Sequence, residues 1–390
     1  MYQLMLVLLV VAAILQLWKK DAKLNKIFFV LLTGTLIFMQ FFRYGQGSDY
    51  WGYCRIYAAA PFKRGFLIDW YKCDVHAEAG FKFLINIFTA LGLPSILFYG
   101  IFNTFLIAFV IYAIKQYSPY GNVSLMLFYP TFYLSYVLSG VRQAMVTAIF
   151  LAFGLKLLHK RKYLYYFLLV LVCATIHSMA LFFLILLPIK WIKEKWIVLC
   201  VPIAWIGGLL VMLTPIHTWL GMLPGLGRLA TVELSIGGLG ERTLMFGIIS
   251  FLYWYGEKKN ETISFLYKIY GIGYLVAMAG MVTAYGSQRI TMSFKAVEIL
   301  LIPMLLAECG KVLYRKAIML AVAGISVIMT LKNLHFYTEE YNAFTYPYRT
   351  IWTDKNEEDL ELESVVKEWE KKFDDAYELI RLDKLGLLEE

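Results

Sequence analysis

Residues 139–181 read SGVRQAMVTAIFLAFGLKLLHKRKYLYYFLLVLVCATIHSMAL, and this stretch decides the fold of the chain. Polar residues interrupt its apolar sequence at Arg142–Gln143 and at His177–Ser178, and a basic cluster at 160–162 lies between them. A charged side chain at membrane depth is costly, so Arg142 is expected to face a bundle interior or a wet cavity. By the positive-inside rule the basic cluster marks the cytoplasmic face. A helix that ends at this cluster therefore begins with Arg142 at the extracytoplasmic side.

The next apolar segment, 163–189, has basic residues at both of its ends. The cluster at 160–162 precedes it, and lysines at 190, 193 and 195 follow it. Both ends therefore predict the cytoplasmic face, which a single straight span cannot satisfy. Two short half-helices that meet near 176–178 can satisfy it. The sequence predicts a hairpin with His177 at its outer tip, at the level of Arg142.

The composition is that of an integral membrane protein. The chain has 390 residues, is 60% hydrophobic and has a mean hydropathy of +0.63. Long apolar runs without strand alternation predict an all-α polytopic transmembrane bundle of about 10–12 spans or half-spans, with re-entrant or short helices at the outer face. The net charge of +9 is assigned to lysines and arginines at cytoplasmic loops and membrane interfaces, so no nucleic-acid partner is expected.

The sequence divides into a transmembrane domain and a charged tail. The domain is predicted over 1–352, with long outer loops at about 43–80 and 214–242. The tail at 353–390 is rich in Asp, Glu and Lys, and apolar residues recur there at three- and four-residue steps. That pattern predicts an amphipathic helix over 353–384.

Smaller features complete the predicted outer face. The segment 79–92 is too short to span upright and is predicted to be re-entrant or tilted. The polar stretch 284–294 is predicted as an outer loop that carries Arg289 to the head of the next span. Cys54 and Cys73 share the first outer loop, where a disulfide can persist, and we expect them to be bridged.

Several familiar motifs are absent from the sequence. It has no P-loop, no GxGxxG, no HExxH, no GxSxG and no CxxC pair. ATP-driven transport and soluble nucleotide-sugar chemistry therefore have no support. An acidic metal motif is also not evident, so metal-independent chemistry without a cofactor is expected.

Unusual polar residues from separate segments are predicted to lie at one level near the outer face. Each has a simpler explanation alone, such as a turn cap for Asp49, a helix N-terminal acid for Glu78 or a hydrogen-bonded core histidine for His177. Together they indicate a site, because guanidinium groups match phosphate oxygens and a histidine or carboxylate beside them can act as a base. The set comprises Arg43, Asp49, Glu78, Arg142, Gln143, His177 and Arg289.

The same segments resemble the EpsG family of Wzy-like bacterial polysaccharide polymerases over about residues 27–350. The resemblance is carried in order by FFRYGQGSDYWGY, EAGFKFLINIF, SGVRQAMVTAIFLAFGLKLL, IHSMALFFL, SQRITMSF and YPYR. It implies a multi-pass, GT-C-like protein of the bacterial inner (plasma) membrane with its active site outside. It also implies polymerisation of undecaprenyl-diphosphate-linked oligosaccharides into capsule, exopolysaccharide or O-antigen. The matched positions are Arg43, Gly47, Asp49, Tyr50, Glu78, Arg142, Gln143, His177 and Arg289.

Chemistry suggests a role for each candidate. The arginines Arg43, Arg142 and Arg289 would bind the substrate diphosphate. The base that takes the acceptor's proton could be His177, Asp49 or Glu78. His177 is favoured because the unperturbed pKa of histidine suits neutral pH, which leaves the carboxylates to position sugar hydroxyls. The remaining matched side chains, Gln143 and Tyr50, would support the site.

Other functions remain open at this stage. A glycan ligase or a lipid-phosphate-sugar glycosyltransferase would have the same broad architecture. A precursor flippase would instead use the buried arginines and histidine as a substrate or proton relay, but the inverted repeats common in transporters are not evident. Besides the lipid bilayer, the expected partners are a chain-length regulator and a flippase.

Overall fold

In the computed structural model of this chain, every named element of the described residues is a helix. The N-terminal elements are α1 (Tyr2–Lys19), α2 (Ala22–Phe41), α3 (Tyr50–Ala58), α4 (Ala79–Ala90), α5 (Ser95–Tyr117), α6 (Gly121–Phe128), a π-helix (Tyr129–Val137), α7 (Val141–Ile149), a second π-helix (Phe150–Gly154), α8 (Leu155–His159) and α9 (Tyr163–Ile176). The C-terminal elements are a 3₁₀-helix (Ser178–Lys190), α10 (Glu194–Leu199), α11 (Val201–Leu213), α12 (Ile216–Gly221), α13 (Ile236–Tyr255), α14 (Glu261–Ala279), α15 (Ala284–Lys295), α16 (Glu298–Glu308) and α17 (Val312–Phe336). The structure describes residues 1–19, 21–59, 77–222, 234–256, 260–282, 284–336, 348–353, 355, 357, 360, 361 and 363–368.

Within those residues, eight helical segments are long and apolar enough to cross a membrane. Shorter apolar helices, including α4 and α9, accompany them. The predicted all-α, polytopic membrane fold is confirmed. A membrane span needs about 20 apolar residues, a length that α7, the second π-helix and α8 reach only together. They follow one another without a break over Val141–His159 and act as one continuous rod.

The segment 163–190 forms a hairpin, as its flanking charges predict. Helix α9 ends at Ile176, His177 adopts an extended backbone, and the 3₁₀-helix runs back along α9. The Tyr166 hydroxyl donates to the Phe183 carbonyl at 2.8 Å, which ties the two legs together midway. At about 1.5 Å per residue for α9 and about 2.0 Å for the 3₁₀ leg, both legs fall short of a full bilayer crossing.

Large aromatic side chains fill the core around the first π-helix. Tyr129 and Tyr133 are fully buried, and their hydroxyls donate to the backbone carbonyls of Tyr2 and Leu36 at 2.9 and 2.8 Å. Buried hydroxyls need such partners, because an unsatisfied polar group in an apolar interior is costly. These bonds fix the π-helix against α1 and α2, and so fix the loop that follows it.

The segment around Arg289 is helical where a loop was predicted, whereas Arg289 stands at the head of a candidate span, Arg289–Glu308, as predicted. The stretch predicted as a loop at 284–294 is helix α15, which carries Arg289 within it. Thr291 and Ser293 are buried, and Ser293 shares a 2.5 Å hydrogen bond with Thr147 of α7. Polar side chains can lie inside a membrane helix bundle when they bond across helices.

Three further predictions are only partly covered by the described residues or differ from them in detail. The outer loop predicted at 214–242 contains α12 and the start of α13 at Ile236. The predicted tail helix at 353–384 lies mostly outside the described residues, and its described part is helical over 363–368. Cys54 is a free cysteine in the structure, which contradicts its predicted bridge to Cys73, a residue outside the described ones.

Candidate active site

A cavity of about 490 Å³ opens within the helix bundle. Its lining comes from α3, the first π-helix, α7, the hairpin tip, α13, α15 and α17. The predicted site residues Asp49, Arg142, Gln143, His177 and Arg289 all line it. The site therefore brings together segments that are far apart in the sequence.

Glu78 joins the two most unusual polar residues of the sequence. Its carboxylate accepts from Arg142 Nη1 at 2.5 Å through Oε2 and lies 2.9 Å from His177 Nδ1 through Oε1. The backbone N–H of Ser178 donates to the same Oε1 at 2.9 Å. We call Glu78, Arg142 and His177 the Glu78 cluster. All three side chains are at most 20% exposed, so the pair energies are larger than at a free surface.

Close helix packing brings Glu78 to the hairpin tip. Glu78 is the residue before α4, and Gly80 in the first turn of α4 packs on Thr175 of α9. A Cβ at Gly80 would overlap the Thr175 hydroxyl oxygen. Only glycine lets the two helices approach this closely. The approach places the Glu78 carboxylate against the residues that follow Ile176.

The Glu78 carboxyl is held ionised. Burial alone would raise its pKa, but hydrogen bonds from His177 and the Ser178 backbone, with the charge of Arg142, lower the pKa well below its ordinary value. An ionised carboxylate only accepts hydrogen bonds, so His177 Nδ1 must carry the proton in this contact. In the neutral imidazole the other ring nitrogen, Nε2, then keeps its lone pair, the state that a general base needs.

Asp49 lines the cavity beside this cluster. It precedes α3, yet its side chain makes no capping bond to that helix. The loop before it is held tightly at Gly47, whose φ of +109° and contact with the Leu138 carbonyl exclude a side chain. The simpler explanation of Asp49 as a turn cap therefore does not apply, and its carboxylate remains part of the cavity surface.

Three predicted residues lie outside the lining: Glu78, which is joined to it by its contacts with Arg142 and His177, and Arg43 and Tyr50. Arg43 is 5% exposed, donates from Nη1 to the Leu138 carbonyl and lies over the Tyr50 ring at 5.7 Å. Tyr50 packs with it in a separate small void. The structure thus puts Arg43 and Tyr50 in the support of the loop 42–49, away from the cavity where a diphosphate would contact them. The sequence predicts both residues near the outer face, and in the structure their side chains face the small void instead of the cavity.

Gln143 links the two halves of the cavity. Its side-chain amide donates to the Arg289 backbone carbonyl, while Thr147, one turn later, bonds to Ser293. These contacts fasten α7 to α15. They set the position of Arg289, whose side chain lines the cavity.

The cavity also contains basic residues that sequence reasoning missed. We call Arg242, Arg289, Lys295 and Lys332 the basic wall; it comes from α13, α15 and α17. Arg242 Nη1 donates to Thr291 Oγ1 at 2.5 Å, and Lys295 Nζ lies 2.8 Å from both carboxylate oxygens of Glu241. Arg242 and Lys332 are not among the predicted site residues, since each looks in the sequence like an ordinary charge near a helix end. The signal available was the pair Glu241–Arg242 at the head of a predicted span.

A metal centre is not apparent in the described part of the chain. No group of three or more His, Cys, Asp or Glu side chains there is arranged to hold a metal ion. The chemistry that these side chains can perform on their own is proton transfer at His177 and binding of anions by guanidinium and ammonium groups.

Comparison with known proteins gives one result. No curated protein and no solved structure matches the chain. Residues 26–350 match the sequence model of the EpsG family, which covers every residue of the Glu78 cluster and the basic wall. That family is associated with polysaccharide polymerisation. With the match extending over most of its length, this multi-pass membrane protein belongs to the EpsG family.

Proposed function

We propose that the chain polymerises undecaprenyl-diphosphate-linked oligosaccharide repeats into a surface polysaccharide, by glycosyl transfer at the extracytoplasmic face. The observation that carries this proposal is the Glu78 cluster at the cavity: a histidine oriented by an ionised carboxylate, which an arginine holds in turn. Such a chain of contacts prepares a base and fixes its direction. Family membership supports the broader role in polysaccharide polymerisation.

The proposed reaction is a single displacement. The acceptor hydroxyl oxygen forms a bond to the anomeric carbon of the donor, and the bond from that carbon to the diphosphate oxygen breaks. The proton of the hydroxyl passes to His177 Nε2, and the diphosphate leaves with the bonding electrons. Cationic side chains of the cavity stabilise the charge that develops on the leaving group.

Helix ends support the proposed orientation. The rod formed by α7 to α8 starts beside Arg142 in the cavity and ends at the basic cluster 160–162. Lys316 Nζ lies 5.1 Å from the Trp18 ring centroid, so the ends of α1 and α17 bring further basic residues together. By the positive-inside rule the helix ends that carry these basic residues are cytoplasmic, and the cavity then faces outward.

The experiment is reconstitution of the purified full-length chain in lipid nanodiscs with lipid-linked repeats, followed by separation of products by length. Wild-type protein should yield a ladder of polymers. His177→Ala should slow the reaction by about 100-fold or more, the usual contribution of a positioned general base. His217→Ala is the matched control, because His217 lies on α12, bonds to the Thr214 carbonyl at 2.7 Å and does not line the cavity.

Two results would reject the proposal. A wild-type protein that leaves the repeats single, while a deletion strain traps them on the cytoplasmic side, would indicate a flippase. Transfer of one repeat to a different lipid or protein without a ladder would indicate a ligase.

A further inference from the structure

The charges of the cavity are divided unevenly. In the Glu78 cluster, the Arg142 guanidinium already bonds the Glu78 carboxylate, and Asp49 adds a second carboxylate nearby. Two acids therefore accompany one cation at this part of the site. A diphosphate would meet repulsion from them and would have to compete with Glu78 for Arg142.

The basic wall has the opposite balance. Its four cations line the cavity with one carboxylate, Glu241, which is paired with Lys295. Arg242 and Lys332 make no ion pair within the described residues. Glu298 is fully buried outside the cavity lining and shares a small void with Arg242 and Lys295, so even if it is ionised the four cations of the wall exceed the two carboxylates Glu241 and Glu298.

Arg242 and Lys332 both lie at the N-terminal half of α13. Gly238 and Arg242 share one face of α13, four residues apart, and both line the cavity. Lys332 Nζ lies 3.8 Å from the position of a Cβ on Gly237, so the ammonium group from α17 sits over the first turn of α13. Thr291 holds the Arg242 guanidinium from α15. The partial positive charge of the α13 N-terminus adds to this field.

We propose that Arg242 and Lys332 form the binding site for the diphosphate of the lipid-linked donor, while the Glu78 cluster handles the acceptor hydroxyl. This inference rests on the proposed function. Arg242 would bind phosphate oxygens through its planar fork, and Lys332 would add a mobile point charge. Leaving-group binding and proton removal are then performed by separate groups, so neither weakens the other.

The test measures binding without chemistry. The full-length protein in nanodiscs is titrated with undecaprenyl diphosphate, the product that carries the diphosphate and no sugar, and bound lipid is counted. Arg242→Gln and Lys332→Gln should each weaken binding by about tenfold or more, since each removes a charge-assisted contact. His177→Ala should bind as wild type does. Lys316→Gln, on the far end of the bundle, controls for general loss of charge.

Lys295 is unsuitable for this test because its removal would leave the Glu241 carboxylate unpaired. Undecaprenyl phosphate serves as a second probe and should bind more weakly than the diphosphate and lose less in the variants. That result separates recognition of two phosphates from attraction to any anionic lipid.

Normal binding in Arg242→Gln and Lys332→Gln, with loss in Arg142→Gln, would overturn the assignment and return the diphosphate to the Glu78 cluster. Normal binding of the sugar-free lipid with impaired turnover of acidic repeats would also overturn it, since the wall would then recognise a sugar carboxylate. A wild-type protein that binds the diphosphate through Arg242 and Lys332 but makes no polymer would support this assignment and reject the polymerase function.

Discussion

The Glu78 cluster and the basic wall both place charged side chains at one cavity, yet they differ in how many of those charges have an oppositely charged partner. In the cluster every charge has a partner, and Glu78 contacts Arg142 and His177 at once. In the wall, Arg242 is held by a neutral hydroxyl and Lys332 has no ion pair within the described chain. Paired charges are oriented but neutralised, whereas unpaired cations keep their attraction for an anion. The comparison suggests that one region positions atoms and the other supplies binding energy.

The sharpest way to break the cluster is Arg142→Lys. Lysine keeps the charge but loses the planar fork that reaches Glu78, so the carboxylate and His177 should shift. We expect polymerisation to fall by about 100-fold, because small misplacements of a reacting group cost that much. Initial rates in nanodiscs check this, with Arg161→Lys in the basic cluster 160–162 as the control. A near-normal rate would mean that His177 does not need this support.

The position of α4 can be tested without touching a charge. Gly80→Ala would push α4 away from Thr175 and carry Glu78 from the hairpin tip. We expect a loss of about 1–3 kcal/mol in stability, as for other overpacked sites, and a several-fold lower rate. Gly34→Ala is the matched control, since a Cβ there meets nothing within 4 Å. Thermal unfolding in detergent measures both variants, and equal effects would contradict the close-packing argument.

The smallest expected effect is a pH dependence of stability. Because the pKa of Glu78 is lower in the folded protein than its ordinary value, this carboxyl adds stability at pH values above about 4.3. That contribution is lost as pH falls from there through the folded pKa. Wild type should therefore lose melting temperature more steeply than Glu78→Gln between about pH 4.3 and pH 3. Parallel curves for the two proteins would indicate that Glu78 is not held ionised by its partners.

The sequence was informative where charge and length alone constrain the chain. Basic residues on both sides of 163–189 were enough to predict the hairpin, because membrane topology depends on where lysines and arginines lie. Which residue contacts which is a different matter. The contact of Glu78 with His177 depends on the packing of Gly80 on Thr175, and no local pattern reports that approach.

The errors have physical causes of the same kind. Arg43 lies near the cavity in the sequence topology, but its side chain turns to the Leu138 carbonyl. The stretch 284–294 was predicted as a loop because it is polar, whereas cross-helix bonds bury Thr291 and Ser293 in α15. Arg242 and Lys332 look like interfacial charges, since a helix-end cation has the same sequence whether it faces lipid headgroups or a cavity.

The loop that presents Asp49 is fastened at its start to the far end of the family region. Tyr44 donates its backbone N–H to the Arg349 carbonyl at 3.1 Å, and Ile351 donates to the Phe42 carbonyl at 3.1 Å. These bonds use main-chain atoms only, so most substitutions there would leave them intact. A premature stop codon, in contrast, would not leave these bonds intact. Truncation before Arg349 removes both bonds and releases the loop, although no residue of 348–351 lines the cavity. Truncation after Thr353 keeps both backbone bonds and removes the charged tail, whose Glu363 accepts a hydrogen bond from the Tyr44 hydroxyl at 3.1 Å, so it should loosen the loop less than truncation before Arg349.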